Sequence, residues 1–182
     1  MEVKTFDNFQ PVKGAGKALA LFEELAAGPD WYMLLCYGGV GNGKTHLCEA
    51  LANKLGCCVV QWMTLIRQFK QAMHGEYKDG YDFLFNNIQK GRRLILDDVG
   101  MGGTGSAWEW GELEEIINYR YEHGLLTVVT TNLDIRSDER NEKMPFIPPR
   151  IVSRFSDALT SRKVLNSASD YRPLKGDKSA IL

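Results

Sequence analysis

Histidine is scarce in this chain, with copies only at positions 46, 74 and 123, and none stands in an H-E-x-x-H arrangement, so metal boxes of the zinc-protease kind are excluded. The four cysteines, Cys36, Cys48, Cys57 and Cys58, lack paired C-x-x-C spacing. They lie in apolar segments and are expected to be reduced core thiols rather than zinc ligands. No hydrophobic run reaches the roughly 18 residues that span a bilayer, and the polar start MEVKTFDNFQ has no signal-peptide core. A cytoplasmic location with no membrane partner is the expectation. Charge of one sign is missing too. A formal net charge of -1 supplies no overall field toward nucleic acid, so any DNA contact has to come from a local patch or from several copies acting together.

Internal repeats and low-complexity linkers are likewise absent, which argues for a single domain over residues 1–182. With 44% hydrophobic residues the chain is long enough to bury a core. Residues 16–27 place Leu19, Phe22, Leu25 and Ala26 at helical spacing before GPD stops the helix. WYMLLCYG (31–38) reads as a strand buried on both faces, and KTHLCEALANKL after it as a helix striped by Leu47, Leu51 and Leu55. The alternation continues. CCVVQW is a strand, Thr64 opens a helix carrying Leu65, Ile66, Phe69 and Met73, and RRLILDDVG is a third strand. A helix from about Glu109 to Glu122, the strand LLTVVTTNL and a fifth strand in ALTSRKVLN complete the series. Such alternation predicts an α/β fold, a five-stranded parallel sheet flanked by helices. The first 15 residues read as an N-terminal arm and the proline-rich KMPFIPPR (143–150) as a loop.

Glycine is concentrated in one place. Gly38, four further residues, then Gly43, Lys44 and Thr45 satisfy G-x-x-x-x-G-K-[ST] between a strand and a helix. Glycines let backbone N–H groups turn toward phosphate oxygens, and the positive end of the following helix adds to that field. The candidate nucleotide-binding residues are Gly39, Gly41, Asn42, Gly43, Lys44, Thr45 and His46, with Lys44 reaching the β- and γ-phosphates and Thr45 offering its hydroxyl to Mg²⁺. His46 either touches ATP or packs and caps locally. LILDDVG ends a strand in two acids, at the edge where open parallel sheets bind ligands. Asp97 is expected to hold Mg²⁺ through water and Asp98 to polarise the attacking water. Asn132, at the end of another strand, is placed to bond the γ-phosphate or position water.

The ordered set TFDNF, GGVGNGKTHL, LILDDVG, TTNLD, RIVSRF and SDYR resembles the AAA+ domain of DnaC/DnaI-type helicase loaders over nearly the whole chain. GKTHL with a downstream SRF is the form shared by the loader and initiator branch, and SDYR favours the loaders. The resemblance implies a P-loop AAA+ ATPase domain with no complete C-terminal helical lid. It assigns Lys44 and Thr45 to Walker A, Asp97 and Asp98 to Walker B and Asn132 to sensor 1. Arg154 becomes an arginine finger acting on a neighbour's nucleotide, with Arg150 a second candidate, and Arg172 becomes sensor 2. A guanidinium suits both tasks because it stays charged and forms forked bonds to phosphate. The implied cofactors are ATP or ADP and Mg²⁺. The implied partners are further copies of the chain, single-stranded DNA and a hexameric replicative helicase. Two departures stand out. Family members place a glutamate where Asp98 stands, so slow hydrolysis is expected, and the helicase-gripping segment that precedes TFDNF in loaders is expected to be absent.

Some residues carry two readings. Trp108 and Trp110 either stack on single-stranded bases or dock the next helix onto the sheet. Arg67, Lys70 and Lys78 either face a DNA-lined channel or form a solvated helix face. Phe6 and Phe9 either flank the adenine or anchor the arm. For the whole chain, an IstB-type transposition ATPase and an ATP-gated interaction module with little hydrolysis are the alternatives.

Overall fold

The computed structural model describes residues 3–75, 79–100, 105–135 and 146–171. In chain order the elements are α1 (Gly16–Ala27), β1 (Met33–Tyr37), α2 (Lys44–Leu55), β2 (Val59–Gln61), α3 (Trp62–His74), α4 (Asp79–Lys90), β3 (Arg93–Val99), α5 (Ala107–Glu122), β4 (Leu126–Thr131), α6 (Pro149–Arg154) and β5 (Ser161–Leu165). The five strands form one sheet in the order β2-β3-β4-β1-β5, and every pairing is parallel. The expected sheet is therefore present.

Period-two alternation divides the strand side chains between two cores. Met33 and Leu35 of β1 join Leu94, Leu96 and Val129 on one face, under Leu65, Ile66 and Phe69 of α3 and Leu113, Ile116 and Ile117 of α5. Leu34 and Cys36 join Ile95 and Val128 on the other, under Phe22 and Leu25 of α1 and Leu47 and Leu51 of α2. Because all strands run the same way, the ends of β1, β3 and β4 that carry the glycine loop, the two aspartates and Asn132 lie along one edge.

Several expectations need correction. Helix α3 begins at Trp62 rather than Thr64, because the buried Trp62 indole extends the apolar stripe one step back, and Met73 is exposed on it. Cys36 and Cys48 are buried, whereas Cys57 is half-buried and Cys58 exposed, because β2 is only Val59–Gln61 and both residues precede it. The proline-rich segment ends in α6 rather than in loop: Pro149 occupies the first helical turn, where its missing N–H has no helical partner to lose. Residues 143–145 lie outside the described set.

Helix α4 is an addition. Tyr81, Leu84, Phe85 and Ile88 sit at helical spacing and pack on the α3–α5 side, with Phe69 5.5 Å from the Tyr81 ring and 5.8 Å from the Phe85 ring. Arg120 of α5 holds its far end. Fully buried, the guanidinium donates to the carbonyls of Ile88, Gln89, Gly91 and Leu126 and to Thr127 Oγ1. Burial lowers its pKa to about 10, so it remains charged at neutral pH, and the carboxyl end of α4 supplies the compensating negative potential. Replacing it with leucine strands these carbonyls. Arg120→Leu is expected to cost about 3 kcal/mol or more in urea unfolding; a loss under about 1 kcal/mol would show that the carbonyls find other donors.

Candidate nucleotide site

The loop from Gly38 to Gly43 turns the chain from β1 into α2. Its glycines are required by contact as well as by conformation. Gly38 has φ 138°, and a Cβ there would collide with the Asn166 carbonyl; Gly41 has φ 71°, and a Cβ there would collide with the Asp170 carboxylate. The loop is thus pressed against the segment that follows β5. Asn42 and Asn166 exchange bonds, each side-chain amide donating to the other's main-chain carbonyl at 2.9 Å.

Lys44 is buried and folds back on its own loop, donating to Gly38 O at 2.9 Å, Gly39 O at 2.6 Å and Asn42 Oδ1 at 3.0 Å. Burial holds its ammonium below the ordinary lysine range, while the carboxylates of Asp98 and Asp97 pull the other way. The neighbouring thiols stay neutral, since burial pushes Cys36 up to about 12 and raises Cys48 as well.

Consecutive side chains of a regular strand face opposite ways, yet Asp97 and Asp98 both line the same cleft. The β3–β4 register shifts between Leu96 and Val99, and Asp98 takes the left-handed conformation at φ 61°. A bulge of this kind re-aims a side chain, and aspartate tolerates the conformation better than most residues. Thr130 of β4 fixes the bulge, donating its hydroxyl to Asp97 Oδ1 and accepting the Asp98 N–H at 3.0 Å. Asp97 Oδ2 accepts Thr45 Oγ1 at 2.9 Å and Gln61 Nε2 at 3.0 Å, and Asn132 Nδ2 donates to Asp98 Oδ1 at 2.7 Å.

Gly41, Asn42, Gly43, Lys44, Thr45, Asp97, Asp98 and Asn132 line one cleft of about 610 Å³. The arm closes a second side. His46 Nε2 lies 2.9 Å from Thr5 O and 3.1 Å from Asn8 Oδ1; both are acceptors, so this nitrogen carries the proton. Phe9 is buried in the α1–α2 core, meets the His46 ring edge-on at 5.2 Å and also lines the cleft, so it anchors the arm and walls the site together. Tyr171 forms the mouth, its N–H donating to Gly41 O at 3.0 Å and its hydroxyl to Gln10 Oε1.

Sequence reasoning missed Gln10, Gln61, Thr130, Asn166 and Tyr171. Thr130 and Tyr171 stood inside quoted motifs, but only their contacts reveal their work. The set Thr45 and Asp97 fits a hard cation, being oxygen donors in contact; among the described residues no cluster of three or more His, Cys, Asp or Glu offers a cage, as suits Mg²⁺ that takes its other ligands from water and phosphate.

Arg154 and Arg150 lie elsewhere. Arg154 is absent from the cleft lining; its Nε donates to Asn118 Oδ1 at 2.7 Å and its guanidinium rests 5.3 Å from the Tyr121 ring centroid. Arg150 is exposed, 3.8 Å from Glu114. Arg172 and Lys78 lie outside the described residues. Trp108 and Trp110 pack against the core beneath α5, which favours the docking reading, and Lys70 is committed to the buried Glu109 at 2.8 Å.

A solved DnaA replication initiator bound to AMPPCP and single-stranded DNA superposes with a TM-score of 0.72 over 91% of this chain and 50% of that chain, at 21% identity. The crystal structure of the DnaC helicase loader gives 0.62 over 91% of this chain and 97% of that one, at 23% identity. This is the AAA+ P-loop fold. Among curated sequences, DnaA of Lacticaseibacillus paracasei is 30% identical over 165 residues, covering 86% of this chain. The chain spans about a third (34%) of that relative's length. No family model matches it. The loader resemblance read from the motifs is met by the DnaC neighbour, and by a DnaI structure with a TM-score of 0.65 over 87% of this chain and 88% of that chain, at 24% identity.

Thr130→Val keeps the shape of a fully buried side chain and deletes the hydroxyl shared by Asp97 and Asp98. It is expected to lower stability by about 1–3 kcal/mol in denaturant unfolding. An unchanged midpoint would mean that the two aspartates are held by other groups.

Proposed function

We propose that this AAA+ domain binds and hydrolyses ATP, assembles with nucleotide at its subunit interfaces, engages single-stranded DNA and assists the loading of a hexameric replicative helicase. The observation that carries the reading is the convergence of Lys44, Thr45, Asp97, Asp98 and Asn132 in one cleft at the carboxyl edge of the sheet. The likeness of fold to a helicase loader and to an initiator bound to a nucleotide analogue and single-stranded DNA supports the biological setting.

The chemistry is phosphoryl transfer to water. Backbone N–H groups of the loop and the amino end of α2 hold phosphate oxygens, and Lys44 exchanges its bonds to Gly38, Gly39 and Asn42 for the β- and γ-phosphates. Thr45 and Asp97 would hold Mg²⁺, which when bound would add positive charge to the site. Asp98 orients the attacking water, and Asn132, which donates to Asp98, sits where it can bond the γ-phosphate or that water. Arg154, lying outside its own cleft, completes the charge of a neighbouring subunit's site, and Arg172 acts on the nucleotide of its own subunit. A monomer is then nearly inactive.

Lys44→Ala is expected to abolish tight ATP binding by calorimetry, whereas Arg154→Ala keeps binding and loses the rise of turnover with protein concentration, by roughly a thousandfold if it acts as a finger. Normal turnover by Arg154→Ala at high protein concentration would overturn the assignment. Asp98→Asn is expected to bind and assemble without hydrolysis. If the unaltered domain also assembles with ATP and does not turn it over, an ATP-gated interaction module is the correct reading. Binding to single-stranded DNA is expected to require ATP and to weaken steeply with salt; ATP-independent binding would separate DNA contact from assembly. Co-purification with replicative helicases tests the partner.

A further inference from the structure

The surroundings of Arg154 show how a residue at the end of the short helix α6 is kept in one orientation. An arginine has high rotamer entropy, and a side chain that acts across an interface has to be ordered before the partner arrives. Two groups order this one directly. Asn118, on the surface of α5, accepts from Nε at 2.7 Å. The Tyr121 ring, nearly one turn further along the same helix, lies under the guanidinium at 5.3 Å. Tyr121 is fixed at both ends: its main-chain carbonyl accepts from Tyr32 Oη at 2.8 Å, and its own hydroxyl donates to Asp157 Oδ2 at 2.8 Å.

Asp157 is itself held, accepting Thr160 Oγ1 at 2.9 Å on the same oxygen and the Leu159 N–H at 3.0 Å on the other. The Leu159 N–H, Tyr121 and Thr160 bonds keep its carboxyl below the ordinary carboxylate range, so it is an anion at neutral pH. A phenol that donates to an anion gains electron density in its ring, and the ring attracts a cation more strongly. None of the contacts found for Arg154 among the described residues uses its Nη nitrogens. Those two nitrogens form one of the paired donor edges that binds a phosphate in forked geometry. Asn118 and Tyr121 thus occupy the back and one face of the guanidinium and leave that pair unspent.

We infer that Asn118, together with the Tyr121 ring that Asp157 braces, is a positioning residue that presents Arg154 to the nucleotide of a neighbouring subunit. The inference rests on the reading of Arg154 as a finger acting in trans. Asn118 would touch neither nucleotide nor metal in its own cleft, whose lining it does not join.

The test uses the full chain and ATP, with turnover read as a function of protein concentration. Asn118→Leu removes the acceptor at a half-buried surface position, and Asn118→Ser serves if that variant assembles poorly. Either is expected to bind ATP with unchanged affinity and to lose roughly tenfold or more of the turnover reached at high concentration. The Asn118→Leu, Arg154→Ala double variant is expected to fall no lower than Arg154→Ala alone, because both act through one guanidinium.

Mixing supplies a readout that a purely structural role would not move. Asp98→Asn keeps Arg154 and its support but cannot activate water. Added to Asn118→Leu, it is expected to lend an ordered finger to intact clefts and raise turnover above the sum of the two proteins alone. The same mixture with Arg154→Ala tests the finger itself. If that mixture fails to complement, the trans reading falls and this inference falls with it. If it complements while Asn118→Leu turns over like the unaltered chain, while the double variant is worse than Arg154→Ala, or while Asn118→Leu is not rescued, the finger stands and the positioning role is overturned.

Discussion

The site depends on how one buried carboxylate is satisfied. Asp97 sits at the end of β3 with about 1% of its surface exposed, and no cation forms a salt bridge with it among the described residues. An ion so placed costs several kcal/mol unless its lone pairs are met. They are met by Thr130 of β4, Thr45 of α2 and Gln61 of β2. One side chain therefore sets the spacing of four elements. The first turn of α2 cannot drift from β3 without costing Asp97 Oδ2 one of its two donors, and β4 cannot slip without releasing the bulge that aims Asp98.

That arrangement fixes the register of the glycine loop and the acids through the protein's own contacts. Lys44 serves as an internal placeholder, its ammonium spent on two loop carbonyls and an amide. On the proposed reading phosphate competes with these three bonds, so part of its attraction for lysine goes into exchange rather than net gain. The loop is shaped by the same residue that is proposed to hold the phosphates.

Much of this was legible in the sequence, and the exceptions have physical causes. The two-faced strands and the stripes of α1, α2 and α5 follow from periodicity, and the motif residues Lys44, Thr45, Asp97, Asp98 and Asn132 share a cleft because parallel strands put their ends on one edge. Helix α4 was readable from Tyr81, Leu84, Phe85 and Ile88, but Gly80 and the adjacent Asn86 and Asn87 lower its intrinsic preference and mask the stripe. Helix α6 was hidden because two prolines read as loop, although Pro149 is well suited to a first turn. Gln61 and Asn118 could not have been singled out, since neither belongs to a motif and each acts through a contact that only the packed sheet or the α5–α6 junction creates. The bulge at Asp98 escapes any rule of alternation, for it is the place where alternation is broken.

The bridge from Tyr171 to Gln10 has a consequence for the order in which the molecule assembles. Its partners are 161 residues apart, and the Asn42–Asn166 pair that supports it spans 124. Contacts of such separation carry the largest loop-closure cost until intervening structure has drawn the ends together. The bridge therefore closes with or after the pairing of β1 with β5, whose partners are also far apart in the chain. Once made, the bridge rests on exposed polar atoms rather than on core, so it belongs to the least protected part of the fold, opening while strands and helices remain intact. If the cleft holds nucleotide as proposed, opening of this bridge gives a route for exchange that leaves the strands holding the acids intact.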